Sequence, residues 1–192
     1  MNNDSVAKEQ NIPTEQVVVF KLDGEEYAVP IAEVREVVRV PEITPVPQSP
    51  DYILGIMNLR GKIVPVLDIE KRFHLTRDTA GTFEHIVVTE GDSGSLFGVR
   101  VDKVLEVLKI PFDTIRQTPK MVTSKISEEY LKGVAVLSEG DKHEQKTKPE
   151  EDVMHQATTD TRLLLLLDLG KILSSDEISA VQPKGASVSQ TP

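Results

Sequence analysis

The chain has 192 residues and a mass of 21.3 kDa, with 39% hydrophobic and 28% charged residues, the make-up of one folded domain or two small ones sharing a core. Its 22 Lys and Arg against 31 Asp and Glu leave a net charge of −9, which works against any broad surface meant to neutralise phosphates, so nucleic acid is not an expected partner. Without a single cysteine there is no disulfide framework, thiol nucleophile or thiolate metal site.

Residues 1–14 hold no apolar stretch of the roughly 7–15 residues a signal peptide requires, and they read as a disordered tail. Short β-branched runs then follow at 17–22, 27–31, 56–59, 63–67, 85–89, 96–101, 134–137 and 163–169, several flanked by glycine-bearing turns such as Asp23-Gly24, which predicts strands of a small barrel. Apolar residues at Ile31, Val34, Val37 and Val38 have helical spacing, and residues 68–75 can add another helical turn or two. The run at 163–167 is far shorter than the roughly 20 apolar residues that cross a bilayer, so it reads as a buried strand and the chain as cytoplasmic. Ser174 followed by Asp176-Glu177 opens a short C-terminal helix, with a flexible tail completing 174–192.

An internal repeat organises these pieces. Residues 27–38 (YAVPIAEVREVV) align without gaps on 97–108 (FGVRVDKVLEVL), 52–59 on 130–137, and 63–71 (IVPVLDIEK) on 163–171 (LLLLLDLGK), in the same order. Two copies of a strand, turn, strand, helix and final hairpin are therefore expected, packed on a shared apolar seam because one copy alone buries too little surface. The repeat also isolates an acidic insertion at 138–160: the first copy turns at Asn58-Leu59-Arg60-Gly61, and the second carries the whole insertion at the same hairpin. Loop closure entropy grows only with the logarithm of length, so such an insertion leaves the barrel undisturbed.

Motifs for catalysis or cofactor binding are weak. Gly91-Asp92-Ser93-Gly94 resembles the nucleophile segment of trypsin-like serine proteases, but only over four residues, and His74 lacks the surroundings of a general base. That resemblance supplies a remote hydrolase reading with Ser93 as nucleophile; a hairpin turn accounts for the same residues. Residues 55–63 have one residue too many before Gly61-Lys62 for a phosphate-binding loop, and Ile63 stands where Ser or Thr would hold magnesium. His74, His85, His143 and His155 form no metal-ligand spacing, so neither metal nor cofactor is expected.

Taken together, residues 17–24, Glu25-Glu26-Tyr27, Val34-Arg35-Glu36-Val37, the Gly55-Ile-Met-Asn-Leu-Arg-Gly61 turn, Ile63-Val-Pro-Val-Leu-Asp68, residues 97–108 and Tyr130-Leu-Lys-Gly133 resemble the CheW-type chemotaxis adaptor family, over roughly residues 17–173 except the acidic insertion. The resemblance implies a mainly β fold of two SH3-like five-stranded barrels around a shared core with short helices, spanning 15–173, and a non-enzymatic adaptor. It implies as partners a chemoreceptor cytoplasmic tip, recruiting the protein to membrane-bound receptor arrays, and the regulatory domain of the histidine kinase CheA. It carries receptor contacts in a groove between the barrels onto Val34, Glu36, Gly55, Arg60, Ile86, Val104 and Val107. The acidic insertion is longer than the family's usual turn, which leaves a scaffold of a non-flagellar chemosensory pathway as the alternative.

Overall fold

The computed structural model describes residues 12–77, 81–91, 94–118, 126–138, 161–174 and 177. Among these lie eleven strands and a short helix: β1 (Thr14–Leu22), β2 (Glu25–Pro30), β3 (Val34–Arg39), β4 (Ile53–Leu59), β5 (Lys62–Asp68), α1 (Ile69–Arg72), β6 (His85–Glu90), β7 (Leu96–Val101), β8 (Lys103–Pro111), β9 (Ile115–Arg116), β10 (Leu131–Ser138) and β11 (Thr161–Leu167). They form one sheet in the order β8-β1-β2-β11-β10-β9 and another in the order β3-β6-β7-β5-β4, each curled into a barrel. Local chemistry sets the first hairpin: Asp23 and Gly24 take left-handed φ values of 49° and 82°, the two-residue turn whose twist suits strands joined as Leu22 opposite Glu25.

The repeat is present, but its copies do not each make a barrel. The first barrel takes β1 and β2 from the first copy and β8 to β11 from the second, and the other barrel takes β3 to β5 from the first and β6 and β7 from the second. Parallel pairing seals the exchange in both: Leu165 lies opposite Tyr27 in one barrel, and Leu67 opposite Val99 in the other. The helix suggested at residues 31–38 is instead a 3-10 turn, Ile31–Glu33, leading into β3, and the aligned part of the second copy is likewise a strand, β8. Both strands carry a bulge at matching positions, between Val34 and Glu36 and across from Val19/Phe20 between Val104 and Glu106. Such a bulge resets the alternation of faces, which gave the valines their helix-like spacing.

Three apolar clusters follow from this weave. Val17, Val19, Ala135, Leu164 and Leu166 fill one barrel, and their repeat equivalents Ile86, Val88, Met57, Val64 and Val66 fill the other. The third cluster is the seam, where Val18, Phe20, Tyr27 and Leu167 meet Val87, Phe97, Val99 and Leu67. Strands buried on both faces have no polar side, hence the uninterrupted apolar runs; full burial of each such side chain is worth about 1.5–3 kcal/mol.

Ser174 and Glu177 are fastened beside this seam. Ser174 and Glu177 form a capping box, the Ser174 backbone N–H and hydroxyl donating to Glu177 Oε2 at 2.9 and 2.8 Å and the Glu177 N–H donating back to Ser174 Oγ at 3.3 Å. Glu177 Oε1 accepts a hydrogen bond from the Tyr52 hydroxyl and lies 3.4 Å from Arg72 Nη1. The Arg72 guanidinium in turn sits 4.7 Å from the Tyr52 ring centroid and 5.9 Å from that of Tyr130, its repeat equivalent.

Two outcomes follow. The β10–β11 register runs to Ser138 opposite Thr161, with the remainder of the acidic insertion, 139–160, outside the described residues. Replacing 139–160 by Asn-Gly should leave a cooperative urea transition and raise stability by up to about 2 kcal/mol through loop shortening; loss of cooperativity would show that the insertion is part of the barrel. The second outcome concerns pH. Partial burial pushes the Glu177 carboxyl up, but Tyr52, Ser174 and Arg72 outweigh it and hold its pKa below the ordinary value. Burial, reinforced by Glu177, pushes the Tyr52 hydroxyl from 10.0 up to about 12. A depressed carboxyl contributes only while ionised and a raised phenol only while protonated. The stability difference between wild type and Tyr52→Phe should therefore be widest near neutrality, shrink as pH falls through the Glu177 pKa, and shrink again between 10 and about 12.

Candidate partner-binding site

Strands β4 and β5 turn at Arg60 and Gly61, with φ of 53° and 83°, and the Asn58 side-chain oxygen accepts the Gly61 N–H at 2.8 Å. A two-residue turn of this kind suits Asn-Gly, and an arginine at its first position is held in a conformation that branched and long side chains avoid. The local backbone therefore gives no reason for Arg60; its side chain does. It is 79% exposed, and its Nη2 donates to Glu36 Oε1 at 2.9 Å.

This pair joins the edges of the sheet. Glu36 lies on β3 and Arg60 leaves β4, the two outermost strands of the order β3-β6-β7-β5-β4, so the contact spans the open side of the barrel. In the other sheet Glu106 on the outer strand β8, equivalent to Glu36, meets Arg162 Nη1 of the inner strand β11 at 2.6 Å, and Arg162 Nε also meets Glu26 of β2 at 2.5 Å. Exposed pairs of this kind add little to stability; they fix where a cation and a carboxylate stand.

Val34 and Val104 are half-buried and pack on the seam cluster, one from each barrel, with Val34 opposite Thr89 and Val104 opposite Phe20. Their neighbours three residues on, Val37 and Val107, are 37% and 51% exposed. The arrangement is an apolar floor on the seam with Glu36 and Arg60 beside it, able to receive the apolar face of a helix and fix its polar groups. Val37, which the sequence reading left out of the set, is exposed like its repeat equivalent Val107.

Gly55 and Ile86 do not present side chains to a partner. Ile86 is 0% exposed, inside the barrel of β3 to β7, because β6 is covered on both faces. Gly55 is buried at a bulge in β4 with φ of 147°, where a Cβ would overlap the Thr44 carbonyl and stand 2.7 Å from its carbon. Its equivalent Gly133, at 152°, has the same role against the Arg116 carbonyl, 2.7 Å from an added Cβ. These glycines admit the preceding segment to the sheet, Thr44 pairing with Ile56 and Arg116 with Val134.

The described parts of the motifs weighed for chemistry lie in or beside β-hairpins. Gly91 and Gly94 close the β6–β7 hairpin through the Gly94 N–H to Gly91 carbonyl bond of 2.9 Å, Ser93 lies outside the described residues, and residues 55–63 are a β-hairpin. Sequence reasoning missed one cluster. Asp68, Glu70 and Asp102 gather around Arg77 and Arg100, with the Phe83 ring centroid 4.2 and 3.6 Å from the two guanidinium carbons. These residues are scattered from 68 to 102 with no local motif, so no sequence signal marks them.

Comparison with known proteins supplies the context. The CheW-like domain model matches residues 16–177. The chain is 30% identical over 166 residues to Chemotaxis protein CheW of Treponema pallidum, covering 85% of this chain and 84% of that one. It is 30% identical over 139 residues to Protein FrzA of Myxococcus xanthus, covering 72% and 84%. The crystal structure of the scaffolding protein TtCheW from Thermoanaerobacter tengcongensis superposes with a TM-score of 0.64 at 31% identity, over 83% of this chain and 92% of that one.

The two kinds of residue in the set should separate on mutation. Gly55→Ala should cost more than about 2 kcal/mol in urea denaturation, since both its φ and its surroundings exclude a Cβ. Arg60→Asn should leave the midpoint unchanged or raise it, because asparagine suits the turn and the lost ion pair is exposed.

Proposed function

Because the chain belongs to the CheW-like family and has that family's double-barrel scaffold fold and role as a chemotaxis coupling adaptor, we propose that it joins a chemoreceptor cytoplasmic tip to the histidine kinase CheA without catalysing a reaction itself. The receptor helix lies on the seam between the barrels, on Val34 and Val104 with Val37 and Val107 at its margins, and Glu36 and Arg60 hold its polar groups. Gly55 and Ile86 support that surface from beneath. The observation that carries the reading is the Glu36–Arg60 pair: an exposed ion pair held at a turn position that disfavours arginine, beside half-buried valines contributed by both barrels. An amphipathic helix is the partner that this mixture of floor and rim suits.

The CheA regulatory domain is the second partner, and the protein works in the cytoplasm, brought to receptor arrays through its contacts. No described helix is long and apolar enough to cross a membrane, in keeping with attachment through partners. A second reading, a scaffold of a non-flagellar chemosensory pathway, keeps the fold and the site and changes only the receptor; similarity to both Chemotaxis protein CheW and Protein FrzA is compatible with either. Pull-down from the native cytoplasm identifies which receptor and kinase are captured.

The test is reconstitution. Purified protein should sediment with receptor-bearing membranes and CheA and raise receptor-dependent CheA autophosphorylation, and Arg60→Asn should lose the receptor share of this activity while keeping its fold. Failure of the wild-type protein with every cognate receptor and kinase would sink the assignment.

A further inference from the structure

Among the described strands the backbone passes from one barrel to the other twice. The first passage is the 3-10 turn Ile31–Glu33 between β2 and β3, and the second is a single residue, Asp102, between β7 and β8. Both barrels also share the apolar seam, but at a one-residue passage rotation about a single φ and ψ turns one barrel against the other, so Asp102 is where a change of angle between them needs the fewest backbone dihedrals to move. In this structure Asp102 has no such freedom, because each of its polar groups is engaged.

Its N–H donates to the Lys21 carbonyl at 3.1 Å, and its carbonyl accepts the Glu84 N–H at 2.9 Å. Its Oδ2 accepts the Asp23 N–H at 2.9 Å, and its Oδ1 meets Arg77 Nη2 at 2.5 Å. Lys21 and Asp23 belong to the β1–β2 hairpin of one barrel, whereas Glu84 and Arg77 belong to the segment between α1 and β6 of the other. Arg77 is anchored again by Glu70 on α1, through Nε at 3.1 Å and Nη2 at 2.6 Å, and Glu70 is only 6% exposed. The chain of contacts therefore runs from the first barrel through Asp102 and Arg77 to the root of α1. The other passage is pinned in a similar manner: Glu33 forms an ion pair with Lys132 of β10, and its carbonyl accepts the Thr89 hydroxyl of β6 at 2.8 Å.

We propose that Asp102 and Arg77 form a hinge lock that fixes the angle between the barrels, and that both are positioning residues for the receptor surface. Val104 follows Asp102 by two residues and packs on the seam, so a turn at Asp102 moves Val104 relative to Val34 and spreads the floor that a helix would occupy. Neither residue need touch the receptor. The second part of this inference rests on the seam being the receptor surface.

The chain contains no cysteine, so two can be introduced for spin labels at the exposed, repeat-equivalent positions Arg39 and Lys109, one in each barrel, in the full-length protein. Electron–electron distance measurement should give one narrow distribution for the otherwise wild-type chain and a broadened one for Arg77→Gln, with Arg77→Lys restoring most of the narrowness. Binding of the cognate receptor's cytoplasmic fragment, measured on unlabelled protein, should weaken about fivefold or more in Arg77→Gln and recover in Arg77→Lys. Asp102→Ala should behave as Arg77→Gln does; should that variant not fold, the Arg77 pair of substitutions carries the test alone. An unchanged distribution in Arg77→Gln overturns the lock. A broadened distribution with unchanged receptor binding overturns the positioning role, and Arg60→Asn then distinguishes the cause: if it still weakens binding, the seam reading stands and the lock has no part in receptor binding, and if it does not, the seam reading falls as well.

Discussion

Everything in this molecule hangs on two parallel strand pairings, β2 with β11 and β5 with β7. A parallel pair cannot be made by a tight hairpin; it needs a partner from elsewhere in the chain. Here each copy of the repeat supplies that partner to the other, so the seam between the barrels is interior to both copies at once. The apolar floor formed by Val34 and Val104 exists because the exchange brings their strands, β3 and β8, to the seam from opposite barrels.

Much of this was readable from the residues, and the errors have a physical cause. Strands with an apolar run and an obvious turn, such as β1 with Asp23-Gly24, were placed to within a few residues, and the match of 63–71 to 163–171 marked β5 and β11 as equivalent strands of two hairpins. The helix wrongly expected at 31–38 came from a bulge beside Arg35, which puts Val37 out of step with Val34 on a strand at the sheet edge. The exchange itself was not legible, because one order of elements can be wired into two separate barrels or two shared ones, and only non-local pairing decides.

Of the site, Glu36, Arg60, Val34, Val104 and Val107 stand where a partner can reach them, whereas Ile86 and Gly55 are buried. A position that alters binding when replaced need not touch the partner, and β6 conceals Ile86 because an apolar run covered on two faces looks the same in sequence as one covered on a single face. The anchoring of Glu177 was half legible: Ser174 three residues before a glutamate is a capping signature, but nothing local names Tyr52 and Arg72 as its further partners.

The exchange also imposes an order on synthesis. The strands of one barrel, β3 to β7, are contiguous from Val34 to Val101, so that barrel can close as soon as those residues have left the ribosome. The other begins with β1 and β2 and is complete only with β11, which ends at Leu167. Its first hairpin must therefore wait, with Val17 and Val19 uncovered, while more than a hundred further residues are made. During that interval the nascent chain carries a finished barrel and an unpaired sheet edge, the state in which pairing with a neighbouring chain competes with its own completion.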